Sequence, residues 1–254
     1  MVWFKLSAIL AIITAGLIGG LIPTRVGVTN RGLKLLGFGN AISAGIFLGA
    51  GLLHMLADSL ENFRASAAGA DYPYAILICG CGFLLVLLLD KVLLREEEVS
   101  EVSGNHSIYP FILTLVLSIH SVIAGAALGL EKSLVSSFVI FIAIISHKGC
   151  AAFALGVSLR ETDFPQRRAF GVVALFSCMT PLGIVLGSAF SALLKEETAY
   201  FVEAVFDGTA AGTFLYIAIL DIMVEVFLHR EDRWTKFFLM ALGFSLMALI
   251  AIWT

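Results

Sequence analysis

The chain has 254 residues, of which 59% are hydrophobic and only 14% charged, and its formal net charge at pH 7 is -3. Its mean hydropathy of +0.99 is far above that of a soluble globular domain, in which about a quarter of the residues are charged. A balance this close to neutral gives no reason to expect a nucleic-acid partner. The composition predicts a single transmembrane domain over residues 1–254, surrounded by the lipid bilayer.

Eight apolar segments are long enough to cross a bilayer, since a helical crossing needs about 20 residues. Hydropathy predicts an all-α integral membrane bundle of eight helices, with spans near residues 2–22, 38–60, 72–94, 108–130, 134–159, 170–194, 200–227 and 235–253. The first segment has the length of a full span rather than of a signal peptide. Glycines recur at helical spacing and predict close helix packing, as in Gly16/Gly20, Gly45/Gly49, Gly125/Gly129 and Gly183/Gly187.

Positive charges are divided unevenly between the two sides of these spans. Most of the 16 lysines and arginines fall on one side, and the other side holds Lys5, Arg64, Lys132 and Lys195. The positive-inside tendency makes the first side cytoplasmic, so we expect both termini to face outward. The longest cytoplasmic loop contains Arg95-Glu-Glu-Glu98. We interpret that run as a solvated surface, with metal collection by the run and His106 as the alternative.

Two consecutive spans repeat one pattern around a histidine. Residues 120–129 and 147–156 both read H-x-x-x-A-x-x-A-L-G, beginning at His120 and His147. Ionisable side chains within a membrane are rare and usually face the bundle interior or a water-filled path. The two spans run in opposite directions, which fits an inverted repeat with a site at the midplane. We therefore predict that both imidazoles bind one transported metal ion.

Other polar residues in the spans extend this candidate site. Cys150 is three residues after His147 and shares its helix face, so its sulfur is either a further ligand or a small apolar filler. His54 and Asp58 are four residues apart on span 2. Their spacing fits either an entrance for the cation or a hydrogen-bonded pair at a helix end.

Charged residues in the membrane need partners or a path. Lys148 costs about 2.5 to 3.5 kcal/mol at a bilayer centre on insertion scales, so we expect an acidic partner, Asp207 or Asp58. Asp221 and Glu225 share one face at the inner end of span 7. We interpret them as an exit site, with a position among the lipid headgroups as the alternative.

The sequence lacks the motifs of an intramembrane enzyme. Metal-assisted hydrolysis needs a carboxylate base near the metal, as in H-E-x-x-H, and this string is absent. A Gly-x-Ser-x-Gly nucleophile elbow and a phosphate-binding glycine loop are absent as well. We therefore predict a protein that is not an enzyme.

Five motifs, in this order, resemble the ZIP (Zrt/Irt-like) family of divalent metal transporters. They are Gly45-Ile-Phe-Leu48 with His54 and Asp58, His120-Ser121, His147-Lys148, Thr180-Pro-Leu-Gly183 and Gly212-Thr-Phe-Leu-Tyr216. The resemblance covers almost the whole chain. It implies a multi-pass protein of a plasma or bacterial inner membrane that moves zinc, or iron, manganese or cadmium, toward the cytosol. The metal is then the cargo, and no prosthetic group is implied.

In that family spans 4 and 5 carry the metal site, which in many members holds two ions. The resemblance assigns its positions to His120 and Ser121 on span 4 and to His147 and Lys148 on span 5. The fifth position of each motif is often glutamate, and in this chain it is alanine at residues 124 and 151. Because bridging carboxylates are missing and a lysine lies nearby, we predict a single-metal site, on a path lined by spans 2, 4, 5 and 7.

Two other functions remain open. Loss of both motif glutamates fits a transport-inactive sensor or subunit of the same family. The buried histidines also fit a proton-coupled carrier of another solute. The candidate protein partner is a second copy of the chain, in a homodimer.

Overall fold

The structure is a computed structural model that describes residues 1–27, 29–66, 72–93, 109–162, 164–190, 196–228 and 231–253. Within these ranges eight helices are long and apolar enough to cross a membrane, which confirms the predicted all-α bundle. They are α1 (Val2–Arg25), α2 (Asn30–Ala65), α3 (Tyr74–Leu87, continued by Leu88–Leu93), α4 (Tyr109–Leu130), α5 (Leu134–Glu161), α6 (Gln166–Phe190), α7 (Glu196–Tyr216, continued by Ile217–Ile222 and Met223–Leu228) and α8 (Arg233–Ile250).

The predicted start of α2 is wrong. Hydropathy places it near residue 38, whereas the helix begins at Asn30. The Thr29 hydroxyl caps this end by accepting a hydrogen bond from the Gly32 amide at 3.1 Å. Lys34 makes an ion pair with Asp232 at 2.6 Å. Hydropathy detects the apolar core of a span, but a capped helix can continue through the headgroup layer, where charged side chains find partners.

Within the described ranges, three helices contain a π-helical turn, which inserts an extra residue into the helical repeat and is often found at functional sites. The turns are Ala50–Met55 in α2, Leu88–Leu93 in α3 and Ile217–Ile222 in α7. The first turn contains His54. Such turns shift which side chains share a face, so sequence spacing alone does not give the contacts of the residues beyond them.

The helices pack as two groups. The first group is α1, α4, α5 and α6, in which α4 packs along α6 and α1 packs along both α5 and α6. The second group is α2, α3, α7 and α8, in which α2 packs along α8 and α7 packs along α3 and α2. Contacts between the groups are sparser and run mainly from α2 to α5 and from α4 to α7.

Glycines set the closest helix contacts, as their spacing predicts. A Cβ added at Gly183 of α6 would overlap the carbonyl oxygen of Val122 on α4. A Cβ at Gly45 of α2 would likewise overlap the carbonyl oxygen of Met240 on α8. Backbones can approach this closely only where one partner has no side chain.

Successive helices alternate in direction, so the bundle has two distinct ends. The terminal end carries Val2 and Ile250, and there Lys5 donates a hydrogen bond to the Gly129 carbonyl oxygen. The basic end carries Arg25, Arg160 and Arg233. The charge run at residues 95–98 and His106 lie outside the described residues.

Candidate metal site

Three imidazole rings come together between the two helix groups. The ring centroids of His120 on α4 and His147 on α5 are 5.7 Å apart, and those of His54 on α2 and His147 are 6.3 Å apart. Three imidazoles on one tetrahedral zinc would have centroids about 5 Å apart, because each Zn–N bond is about 2 Å long. No three His, Cys, Asp or Glu side chains of the described ranges converge on a metal position as they stand. The ring centroids would therefore have to move about 1 Å closer together for all three imidazoles to bind one zinc ion.

Asp58 lies beside the third histidine. His54 Nδ1 lies 3.0 Å from Asp58 Oδ2, one helical turn away. A carboxylate that holds one imidazole nitrogen leaves the other nitrogen to face a metal, which is a common arrangement around bound zinc. The sequence suggested that His54 lies on a path, but it contained no signal for its position beside His147.

The other two histidines are almost removed from solvent. His120 and His147 are 8% and 4% exposed, and His120 Nε2 has no hydrogen-bond partner among the described residues. Both rings pack against the edge of Phe214, with centroid distances of 4.9 and 5.8 Å. Phe214 is itself fully buried against Phe47. A buried nitrogen without a hydrogen-bond partner requires an explanation. Binding of a metal ion by this nitrogen is one such explanation.

A cavity of about 230 Å³ leads to these rings from the terminal end. Its walls come from α2, α4, α5 and α7. Carboxylates and one amide line it on the side away from the basic end, namely Asp58, Glu61, Asn62, Glu203 and Asp207. A low-dielectric cleft lined with one sign of charge concentrates ions of the opposite sign, so this cavity favours cations.

The expectation of an acidic partner for Lys148 is wrong. Its Nζ donates hydrogen bonds to Ser121 Oγ at 3.0 Å and to the Phe176 carbonyl oxygen at 3.1 Å. The same Nζ lies 3.6 Å from the centroid of the Phe176 ring. A hydroxyl, a carbonyl and an aromatic face together stabilise the ammonium. Asp58 lies beside His54 instead, with its Oδ2 3.0 Å from His54 Nδ1.

A second and much smaller cavity lies beside Lys148. Its volume is about 10 Å³, about enough for one water molecule. Ala124 and Ala151, the two motif positions without glutamate, line it together with Ser121 and Thr180. His120 and His147 line both this cavity and the larger one, so their rings form the wall between the two spaces.

The remaining predicted site residues lie away from the three histidines. Cys150 packs against the apolar core. Asp221 and Glu225 lie on the part of α7 that approaches the basic end. Near them the Tyr216 hydroxyl donates a hydrogen bond to the Asp90 carboxylate of α3, a contact that the sequence gave no reason to expect.

The family model described as ZIP zinc transporter matches residues 2–95 and 94–251. The chain belongs to this family. It is 30% identical to the zinc transporter ZIP2 of Mus musculus, with 98% of this chain and 97% of that protein covered. It is 31% identical to ZIP2 of Homo sapiens, with 87% and 85% covered, and 29% identical to human ZIP1, with 96% and 89% covered.

Membership of the ZIP family places this chain among multi-pass membrane transporters and not among enzymes. In this family the metal ion is cargo, and no prosthetic group is implied. The three histidines and the two cavities are thus features of a metal transporter.

Proposed function

We propose that this protein carries zinc across the cell membrane, from the terminal end of the bundle to the basic end and into the cytosol. The observation that carries the proposal is the cluster of His54, His120 and His147 at the base of a cavity lined with carboxylates. Both helix groups contribute to this cluster. A cation held there is in contact with α2, α4 and α5, and α7 completes the path.

The acidic cavity attracts the cation, and the histidines bind it. Asp207 and Glu203 attract the cation and replace part of its hydration, and His54 then receives it with Asp58 behind its ring. His120 and His147 complete three neutral nitrogen ligands. A shell of this kind binds zinc while leaving it exchangeable, which transport requires. Asp221 and Glu225 would receive the ion near the basic end.

The site holds one metal ion. In the small cavity beside the histidines, the Lys148 ammonium and two alanines stand where a second ion would need bridging carboxylates. The Lys148 amine beside this cavity opposes a second dication whenever it is protonated, since the interaction is weakly screened in a buried site.

The test is zinc uptake into vesicles that contain purified protein, followed with an internal zinc-sensitive dye at low external zinc. We expect His120→Ala and His147→Ala each to lower uptake at least about tenfold, because each removes one of three ligands. His229→Ala is the matched control, since His229 comes after Leu228, the last residue of α7, in the sequence. Wild-type rates in both variants at normal expression would contradict the proposal. Bound zinc without uptake in the wild type would favour a sensor.

A further inference from the structure

Hydrogen-bond donors line part of the small cavity beside Lys148, among apolar side chains. Two of the three Lys148 ammonium protons are directed at Ser121 Oγ and the Phe176 carbonyl oxygen. The Thr180 hydroxyl is 1% exposed, lines the cavity and has no hydrogen-bond partner in the described ranges. Because Ser121 accepts from Lys148, its own hydroxyl proton is also available. At least two donors therefore lack an acceptor around a space that fits one small group.

The charges around this cavity select an anion. The described residues that line it include no carboxylate. Asp58 is turned to His54, and Asp207 and Glu203 line the larger cavity on the other side of the histidine rings. A cation placed in the small cavity would meet the Lys148 ammonium directly, whereas an anion would accept hydrogen bonds from Lys148 and Thr180.

We propose that this cavity holds a monatomic anion, such as chloride, as the fourth ligand of the metal bound by His54, His120 and His147. The proposal rests on the three-histidine site proposed above. A tetrahedral metal with three protein ligands keeps a fourth position for an outside ligand. Because His120 and His147 line both spaces, an atom in the small cavity lies next to an ion held by their rings. Metal and anion then bind cooperatively, and a one-water volume excludes polyatomic anions.

The experiment uses Co²⁺ in place of zinc, because the visible absorption of tetrahedral cobalt changes when its fourth ligand changes. The purified full chain is titrated with Co²⁺ at constant pH and ionic strength while gluconate is replaced by chloride. We expect a saturable change in the cobalt bands and an apparent cobalt affinity about fivefold or more higher in chloride. By linkage, cobalt raises the chloride affinity by the same factor.

Two variants and one control identify the cavity. Lys148→Met and Thr180→Val should each bind cobalt but lose the chloride response, since each removes one donor. Thr213→Val is the matched control and should keep the response, because the Thr213 hydroxyl donates to the Ala210 carbonyl oxygen within α7 at 2.8 Å. If the Lys148→Met variant does not fold, loss of the chloride response in Thr180→Val alone tests whether the anion binds in this cavity.

The outcomes separate the two proposals. If cobalt binds to the wild type with bands that do not respond to chloride, the anion is overturned and the three-histidine site stands. If the cobalt bands respond equally to bicarbonate or nitrate, the proposal that the anion is monatomic is overturned. If the wild type shows no tetrahedral cobalt bands at all, the three-histidine site fails and the anion proposal fails with it. A chloride response that survives in both variants would place the anion elsewhere and refute the inference.

Discussion

Asp58 decides which nitrogen of His54 is available to the metal. Its carboxylate lies 3.0 Å from His54 Nδ1, so Nε2 is the nitrogen that remains. A carboxylate behind a ligating imidazole fixes its tautomer and orientation and strengthens its basicity. In the proposed site, His54 binds the metal and Asp58 lies behind its ring.

We predict that Asp58→Asn raises the zinc concentration needed for half-maximal uptake about tenfold, and that His54→Ala raises it further. The first change weakens the orientation of a ligand, whereas the second removes the ligand. Uptake into vesicles over a range of zinc concentrations measures both effects. Asp232→Asn, which breaks the ion pair with Lys34, is the control. A larger loss from Asp58→Asn than from His54→Ala would mean that the carboxylate itself binds the metal.

In the single-metal site that we propose, Lys148 and the two motif alanines limit the number of metal ions. We predict one zinc per wild-type chain and two per chain in the triple variant Ala124→Glu, Ala151→Glu, Lys148→Asn. The variant replaces a fixed cation by two carboxylates that can bridge two ions. Elemental analysis of purified protein gives the ratio, and anomalous scattering from crystals gives the positions. Two neighbouring peaks in the wild type would contradict the single-metal site.

At the scale of helices, packing within each group depends on positions where no side chain is tolerated. Gly183 of α6 lies against the backbone of α4, whereas Gly171 on the same helix has nothing within 4 Å of its added Cβ. These two glycines allow the same substitution to be compared in a closed and in an open environment.

We predict that Gly183→Val destabilises the protein by about 1 to 3 kcal/mol more than Gly171→Val does. Valine has the same helix propensity at both sites, so the difference isolates the contact with α4. Thermal unfolding in detergent, followed by tryptophan fluorescence, measures the shift in Tm. Equal shifts for the two variants would show that the α4–α6 contact is looser than the structure indicates.

The helices were predictable from sequence where hydrophobic length alone decides them, and all eight spans follow that rule. The start of α2 and the three π-helical turns could not be predicted from sequence, because helix caps and inserted residues leave no hydropathy signal. For the site, the repeated motif pointed to His120 and His147, which do come together. His54 and the partners of Lys148 depend on how α2 and α6 pack against distant helices, and spacing along one helix contains no information about that.

At the scale of the whole molecule, the two ends differ in charge. The basic end holds most of the lysines and arginines, and the acidic cavity approaches from the terminal end. If the basic end faces the cytosol, the cavity faces outward and accepts zinc from outside the cell.

We predict that an epitope tag at either terminus of the chain is labelled by antibody on intact cells. A tag inserted after residue 100 should be labelled only after the cells are permeabilised, because that loop follows the basic end of α3. The reverse pattern would mean that the acidic cavity opens to the cytosol and that transport runs outward.

The division of the three histidines between the helix groups would make an ion in the proposed site a removable cross-link. His54 belongs to the group of α2, and His120 and His147 belong to the other group. While all three hold the ion, the groups cannot part without breaking a coordination bond. Copper(II) forms stronger bonds to nitrogen than zinc does, so it would hold the groups together for longer. Such an ion would block the path. The metal that these imidazoles bind most tightly would therefore be transported poorly.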